Sequence, residues 1–312
     1  SSKGRTRIAG DSYRGIDDIY LYIVDEIRRN GTIIADMSVY RKLVIIMFFI
    51  LLFIVFRFVI TPYFRDPIVN AESGKGVIDR QDILARADYV QRAELFEPSS
   101  DSVSDADQYL FDGGMGLSIT VGRSTIFYPY QLLVWHPVIN DVWNGVSLLI
   151  TYDPLCNTGR VFEREVYEKD EKFRVTDKIW NSAGFIEDET TKSLWSPLLG
   201  RALFGDRAQT HLVPYFSELI TWETFKRSYP SGRVLARPDG FENDYTFNPF
   251  KNYQNSQTVS YPVTSLDARL DAKTMIYGTE DPTIASLTYI SSAIPSYWFC
   301  WAAVHPDTEV IQ

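Results

Sequence analysis

The chain has 312 residues, of which 45% are apolar and 23% charged, so it can fill one large core or two small ones and is not a disordered protein. Its formal net charge of −9, from 31 basic and 40 acidic residues, argues against nucleic acid as a partner. Two cysteines are too few for a disulfide framework; a single bridge is permitted in an oxidising compartment, and the sequence leaves this open.

The first predicted element is an amphipathic helix over residues 16–29, within a segment, 1–42, that we expect to be cytoplasmic. Its polar face mixes acidic and basic residues, unlike the Lys-rich face of helices that lie on lipid. The helix therefore docks on a partner protein, or it folds onto the chain's own membrane segment. Its apolar positions are Ile16, Ile19, Tyr20, Ile23, Val24 and Ile27.

An almost unbroken apolar run at residues 43–60 predicts a single transmembrane helix, with bounds 43–61, ended by Pro62. A helix of about 18 residues at roughly 1.5 Å each is about 27 Å long, close to the thickness of a bilayer core. Arg41 and Lys42 adjoin its N-terminal end, so the positive-inside rule places the N-terminus in the cytoplasm. We expect the rest of the chain to lie on the periplasmic side of a bacterial inner membrane.

Three residues near the distal end of this helix are candidates for contact with lipid or with another subunit. Arg57 either extends to the lipid headgroups or pairs with a group on another membrane subunit. Tyr63 and Phe64 have the amphipathic and aromatic character of a membrane-interface anchor.

The remainder divides into a polar, acidic linker at 62–107 and a globular domain at 108–312. Short alternating runs predict strands at 117–121, 147–152, 161–166 and 173–175, and Asn144-Gly145 predicts a two-residue hairpin turn. A helix is predicted at 219–228. These elements indicate an α+β class with a predominantly antiparallel sheet, preceded by one N-terminal transmembrane helix.

The usual catalytic signatures are missing from the sequence: it has no P-loop, H-E-x-x-H, G-x-S-x-G or C-x-x-C motif. This favours a non-catalytic role. A weaker hypothesis is a hydrolase in which Asp239 and Glu242 act as acid and base.

Five motifs occur in a characteristic order, at residues 135–141 (WHPVIND), 151–159 (TYDPLCNTG), 193–196 (SLWS), 219–222 (LITW) and 301–309 (WAAVHPDTE). On these motifs the chain resembles, over residues 108–312, the family known as domain of unknown function 3179. The resemblance implies a bacterial or archaeal protein, generally exported, with a biochemical role that is largely unassigned. The family's second motif usually reads Y-C-P-L-C-x-T, whose two cysteines, with the histidine of the first motif, suit a soft metal or a redox dithiol.

This chain departs from that pattern because Asp153 stands where the family has its first cysteine, which excludes a dithiol at this position. His136, Asp153 and Cys156 still offer nitrogen, oxygen and sulfur donors for zinc or copper. The alternative is that Cys156 is a small buried residue, His136 a hydrogen-bonded core histidine, and Asp153-Pro154 the beginning of a turn.

Two functions follow as hypotheses. The first is a non-catalytic accessory subunit, whose membrane segment and amphipathic helix dock on other membrane-protein subunits, in an energy-converting complex of photosynthesis or respiration. The second is a membrane-tethered metal-binding or redox protein that uses His136, Asp153 and Cys156.

Overall fold

The structure is a computed structural model, and it describes residues 45, 47, 48, 76–86, 92–279 and 293–311. The chain divides into two compact units, Ser1–Ile68 and Val69–Gln312, and the elements below belong to the second. The predicted amphipathic helix lies outside the described residues, and so does the predicted membrane segment apart from three helical residues, Ile45, Met47 and Phe48. No helix in the described part of the chain is both long enough and apolar enough to cross a bilayer.

The second unit consists mainly of short strands. In chain order these are β1 (Leu84–Ala85), β2 (Leu95–Phe96), β3 (Ser100–Ser102), β4 (Met115–Val121), β5 (Ser124–Pro129), β6 (Val138–Trp143), β7 (Val146–Asp153), β8 (Thr158–Glu163), β9 (Glu165–Val166), β10 (Lys169–Asp170), β11 (Phe173–Trp180), β12 (Ala183–Asp188), β13 (Leu194–Ser196), β14 (Arg201–Phe204), β15 (Glu218–Thr221), β16 (Arg233–Leu235), β17 (Met275–Gly278) and β18 (Ile294–Tyr297).

The helices between them are short. They are a 3-10 turn at Arg80–Asp82, α1 (Val103–Ala106), α2 (Tyr130–Leu133), α3 (Trp222–Ser228), α4 (Lys251–Gln254) and α5 (Trp298–Val304). The predicted α+β class with mostly antiparallel strands is confirmed for the described residues.

Three sheets form the framework. Their strand orders are β1-β11-β12-β13-β14, β2-β6-β7-β8 and β15-β4-β5-β16-β3, and β9-β10 and β17-β18 form two smaller pairs. Among the described strands, β2 with β6 and β5 with β16 pair in parallel, and the other neighbours pair antiparallel.

The sheet that contains β7 is covered on both faces. Successive side chains of a strand point to opposite sides of the sheet, and the side chains on each side of β7 pack into an apolar cluster. Leu148 and Ile150 belong to one apolar cluster, whereas Leu149 belongs to another that also contains Val138. This second cluster includes Trp195 of β13, so it joins the β7 sheet to the five-stranded sheet that begins with β1. The candidate site lies where these two sheets meet.

The predicted hairpin at Asn144-Gly145 is confirmed. Val146 pairs with Trp143 to close the turn, and Asn144 and Gly145 have φ angles of 49° and 83°. Both values lie in the left-handed region that a type I′ turn requires and that Asn and Gly tolerate best.

Two sequence predictions differ from the structure. The end of the predicted linker contributes to the sheets, since β2 pairs with β6 and β3 pairs with β16. These strands are only two and three residues long, too short to show an apolar pattern. The helix predicted at 219–228 is instead the end of β15 followed by α3, because the Thr221 hydroxyl accepts a hydrogen bond from Thr224 N and caps a helix that begins at Trp222.

Candidate functional site

The turn between β7 and β8 contains the most distinctive sequence motif. Asp153 Oδ1 accepts a hydrogen bond from Leu155 N at 3.0 Å, which is the local bond of an Asx turn. Its other oxygen, Oδ2, accepts one from Gly184 N at 2.8 Å. Asp153 therefore shapes its own turn and ties this turn to β12 of the neighbouring sheet.

Cys156 in the same turn forms a disulfide with Cys300 of α5. The cysteines are 144 residues apart in sequence and both are buried. Tyr297 N also donates a hydrogen bond to Cys156 O at 2.8 Å. The sequence allowed a single disulfide but did not show whether it forms, and the structure contains it.

Three motifs converge on one small cleft beside this turn. The first two motifs contain Pro137 and Pro154, and the third is directly followed by Pro197. All three prolines are buried in the cleft wall. The cleft has a volume of about 20 Å³. Five of its lining residues are half-buried: Arg86, Arg92, Val175, Thr176 and Gly184.

His136, from the first motif, lies in the core. Its Nδ1 is 3.0 Å from Ala93 O and its Nε2 is 2.8 Å from the Tyr245 hydroxyl. Because a carbonyl only accepts, Nδ1 is the donor, and a neutral ring then accepts from Tyr245 through Nε2. Burial lowers the pKa of the imidazole, which also favours the neutral form. His136 thus joins two segments as an internal hydrogen-bonded residue.

The structure does not bring His136, Asp153 and Cys156 together as metal ligands. The Cys156 sulfur is bonded to Cys300 and cannot act as a thiolate, and both ring nitrogens of His136 have partners within the chain. Within the described ranges, no group of three or more His, Cys, Asp and Glu residues is arranged to hold a metal ion. The alternative interpretation of these residues, a core histidine and a turn that begins at Asp153-Pro154, agrees with the geometry.

The remaining polar residues of the first motif join strands. Asn140 Oδ1 accepts from Phe173 N at 2.7 Å and Asn140 Nδ2 donates to Phe173 O at 2.8 Å, which clamps β6 to β11. Asp141 accepts from the Tyr128 hydroxyl at 2.6 Å, and burial raises the pKa of this carboxyl. Both side chains hold the framework around the cleft.

The motif at 193–196 is hydrogen-bonded to a buried network of charged residues. Trp195 Nε1 donates to Asp188 Oδ2 at 2.8 Å, and Asp188 Oδ1 lies 3.2 Å from Arg207 Nη1. The same guanidinium lies 2.5 Å from Glu171 Oε2. Because the two carboxylates and the cation are all at most 10% exposed, this network is part of the core of the fold.

The last two tryptophan motifs also make internal bonds. Trp222 Nε1 donates to Asp107 Oδ1 at 2.8 Å, and Trp301 Nε1 donates to Thr308 Oγ1 at 2.9 Å. Hydrogen bonds from Lys226, and then from Trp222, lower the pKa of Asp107. These bonds fix α3 and α5 to neighbouring segments.

Sequence reasoning missed three basic residues. Arg86 and Arg92 fell in the predicted linker, and Lys273 fell in a stretch with no motif. The Lys273 ammonium is buried, donates to Tyr253 O and lies 3.1 Å from the centre of the Tyr253 ring. Burial lowers its pKa to about 8. No local pattern distinguishes these residues from ordinary surface charges, because their burial depends on segments distant in sequence.

Two of the other predicted site residues are described, and they do not line the cleft. Asp239 and Glu242, the acid and base of the weaker hydrolase hypothesis, are both exposed in a loop. The docking candidates lie outside the described residues: Ile16, Ile19, Tyr20, Ile23, Ile27, Arg57, Tyr63 and Phe64.

The comparison with known proteins agrees with the motifs. The family model described as Protein of unknown function (DUF3179) matches residues 94–292. The match begins just before β2, and it ends before Cys300 and the fifth motif. No curated protein and no solved structure matches the chain. Because the family model covers more than half of the sequence, the chain belongs to the DUF3179 family.

Proposed function

We propose that the protein is a single-pass, membrane-anchored, non-catalytic accessory subunit of a larger membrane protein complex. The apolar run at 43–60 is the anchor, the N-terminus is cytoplasmic, and the domain packs on the extracytoplasmic face of its partners. The setting is the inner membrane of a bacterium. An energy-converting complex, photosynthetic or respiratory, is proposed by analogy with other assemblies that recruit single-span subunits.

The observation that carries this proposal is that the polar side chains of the motifs bond within the chain. His136, Asn140, Trp195, Trp222 and Trp301 each make hydrogen bonds within the chain. A catalytic residue needs a polar atom that reaches a substrate. The motifs are therefore best explained as determinants of a rigid shape, which suits a protein that works by contact.

The disulfide supports the proposed side of the membrane. Disulfides persist in oxidising compartments and are rare in the cytosol. A bridge between two buried cysteines of the domain therefore agrees with the orientation inferred from Arg41 and Lys42, which is an independent argument.

Extraction of the full tagged chain from its own membranes in a mild detergent, followed by native mass measurement, tests the proposal. The expected result is a complex that contains the chain and at least one other membrane subunit. A chain that is strictly monomeric in several mild detergents would refute it. Arg57→Leu, compared with Arg123→Leu in an exposed turn of the domain, then asks whether the membrane segment contributes to assembly.

Topology is tested separately in cells whose outer membrane alone has been permeabilised. The proposal requires that a membrane-impermeant protease, admitted to the periplasm, cleaves the domain and leaves a tag at the N-terminus intact. The opposite pattern would place the domain in the cytoplasm and contradict the assignment.

A further inference from the structure

We propose that Met275 is an oxidation site, at which a peroxide converts the thioether to a sulfoxide that Asn157 then binds. This site is independent of the proposed role in a membrane complex. Three observations support it: the exposure of Met275, the hydrogen bond that its sulfur accepts, and the fixed orientation of the amide that donates this bond.

Met275 lies in β17 and is in contact with the β7–β8 turn. The residue is 38% exposed, so a small oxidant can reach its side chain. Asn157 in the turn donates a hydrogen bond from Nδ2 to Met275 Sδ at 3.2 Å. The side chain is therefore open to solvent while its sulfur faces an N–H donor.

The orientation of the Asn157 amide follows from its other partner. Asn157 Oδ1 accepts from the Tyr152 hydroxyl at 2.9 Å, and this hydroxyl accepts from Gln254 Nε2 at 3.2 Å. The hydroxyl thus donates its one proton to Asn157, which places the amide oxygen toward Tyr152 and the amide nitrogen toward the sulfur. Asn157 has a φ of 51°, a left-handed conformation that Asn tolerates better than most residues. Backbone and side chain together hold the donor against Met275.

A sulfoxide suits this position better than the thioether does. Thioether sulfur is a weak hydrogen-bond acceptor, whereas oxidation makes the side chain polar and adds an oxygen that accepts strongly. The methionine side chain has three rotatable bonds, so the new oxygen can turn toward Asn157 Nδ2 without a movement of β17. Oxidation therefore strengthens the contact between β17 and the β7–β8 turn.

The reaction needs only a peroxide as its oxidant. The sulfur lone pair attacks one peroxide oxygen, and an S–O bond forms as the O–O bond breaks. With hydrogen peroxide, the departing hydroxide takes the proton of the transferred oxygen and leaves as water. The sulfur loses two electrons and the peroxide gains them. The disulfide between Cys156 and Cys300 indicates an oxidising compartment, in which this reaction is expected.

The first test compares Met275 with Met115, the other methionine of the second compact unit, which is half-buried in β4. The full chain in detergent is treated with hydrogen peroxide, sampled over time, digested and analysed by mass spectrometry. Met275 should gain one oxygen severalfold faster than Met115, because it is the more exposed of the two. The proposal is overturned if Met115 gains oxygen as fast as Met275 in the folded protein.

The second test asks whether Asn157 binds the sulfoxide. Asn157→Asp tolerates the positive φ and keeps an oxygen for the Tyr152 hydroxyl, but it replaces the N–H donor with a second oxygen. Peroxide treatment should leave the urea midpoint of the wild-type protein unchanged or higher. It should lower the midpoint of Asn157→Asp by about 0.5 M, the shift expected for one hydrogen bond. Each protein is compared with itself before treatment, so a general loss of stability in the variant does not affect the result.

Met275→Leu, made in the wild-type protein and in Asn157→Asp, is the matched control, and peroxide should not change the midpoint of either. Equal shifts in the wild-type protein and Asn157→Asp would overturn the proposal, because Asn157 would then make no contact with the sulfoxide. A shift in Asn157→Asp that persists after Met275→Leu would also overturn it, because the oxidised residue would then be another one.

Discussion

Replacing Cys300 with alanine removes the covalent link between the β7–β8 turn and α5. The two cysteines are 144 residues apart, and a disulfide that closes a loop of this length stabilises the folded state by about 5 kcal/mol through the entropy of the unfolded chain. This is an upper figure, because measured effects commonly lie at about 2–5 kcal/mol. The loss is a large fraction of the stability of an ordinary domain.

Urea unfolding followed by tryptophan fluorescence measures the effect. With a slope of about 2 kcal/mol/M, a loss of about 5 kcal/mol lowers the midpoint by about 2.5 M. Reduced wild-type protein should unfold at the same urea concentration as Cys300→Ala. The variant should be insensitive to reductant, and Cys156→Ala/Cys300→Ala should resemble the single variant, because one bond is lost in each case.

Mass spectrometry after alkylation gives the complementary check. Without reductant, the unfolded wild-type chain should incorporate no alkyl group, and after reduction it should incorporate two. The reasoning is refuted if the unreduced chain incorporates two groups, or if Cys300→Ala and oxidised wild-type protein have the same urea midpoint.

Three further predictions concern single residues. Arg207→Met should cost about 3–5 kcal/mol in urea unfolding at pH 7, because it leaves the Glu171 and Asp188 carboxylates buried without their cation; a loss below about 1 kcal/mol would contradict the network. Burial lowers the pKa of Lys273 to about 8 in the folded protein, against 10.5 in the unfolded chain. Between pH 8 and 10.5 this amine is therefore protonated in the unfolded chain and neutral in the folded protein. The free energy of unfolding of the wild-type protein should therefore rise between pH 8 and 10.5, relative to that of Lys273→Met. Parallel curves of unfolding free energy against pH for the two proteins would contradict the lowered pKa. Gly159→Ala should lower the thermal midpoint and cost about 1–3 kcal/mol, because its Cβ meets the Tyr130 hydroxyl; Gly113→Ala, whose nearest neighbour is 3.9 Å away, is the control, and equal midpoints would show that the packing is looser.

Several elements of the fold could be predicted because their signals are local. Alternation of apolar side chains predicted the strands at 117–121 and 147–152, which lie within β4 and β7. Asn144-Gly145 predicted its hairpin because few other residues tolerate positive φ at both positions. The helix at 219–228 was only half correct, since the pattern does not show where Thr221 caps α3.

The candidate site was predicted only in part. The motif at 151–159 drew attention to Asp153, which lines the cleft, and to Cys156 in the same turn, which pairs with Cys300. Their roles could not be predicted, since a sequence shows which donor atoms exist but not which atoms contact one another in the fold. The metal hypothesis depended on Cys156 having a free thiolate, and its partner lies outside the residues that the family model matches.

The sequence by itself determined the sheet-rich class, the hairpin and the family, because each depends on patterns within a few residues or on the order of motifs. Only the tertiary structure decided that Cys156 pairs with Cys300, that His136 is an internal hydrogen-bonded residue, and that Arg86 and Arg92 line a cleft with three prolines of separate segments. The physical reason is that burial, charge pairing and cavity shape are set by segments far apart along the chain, and they exist only once the sheets have packed.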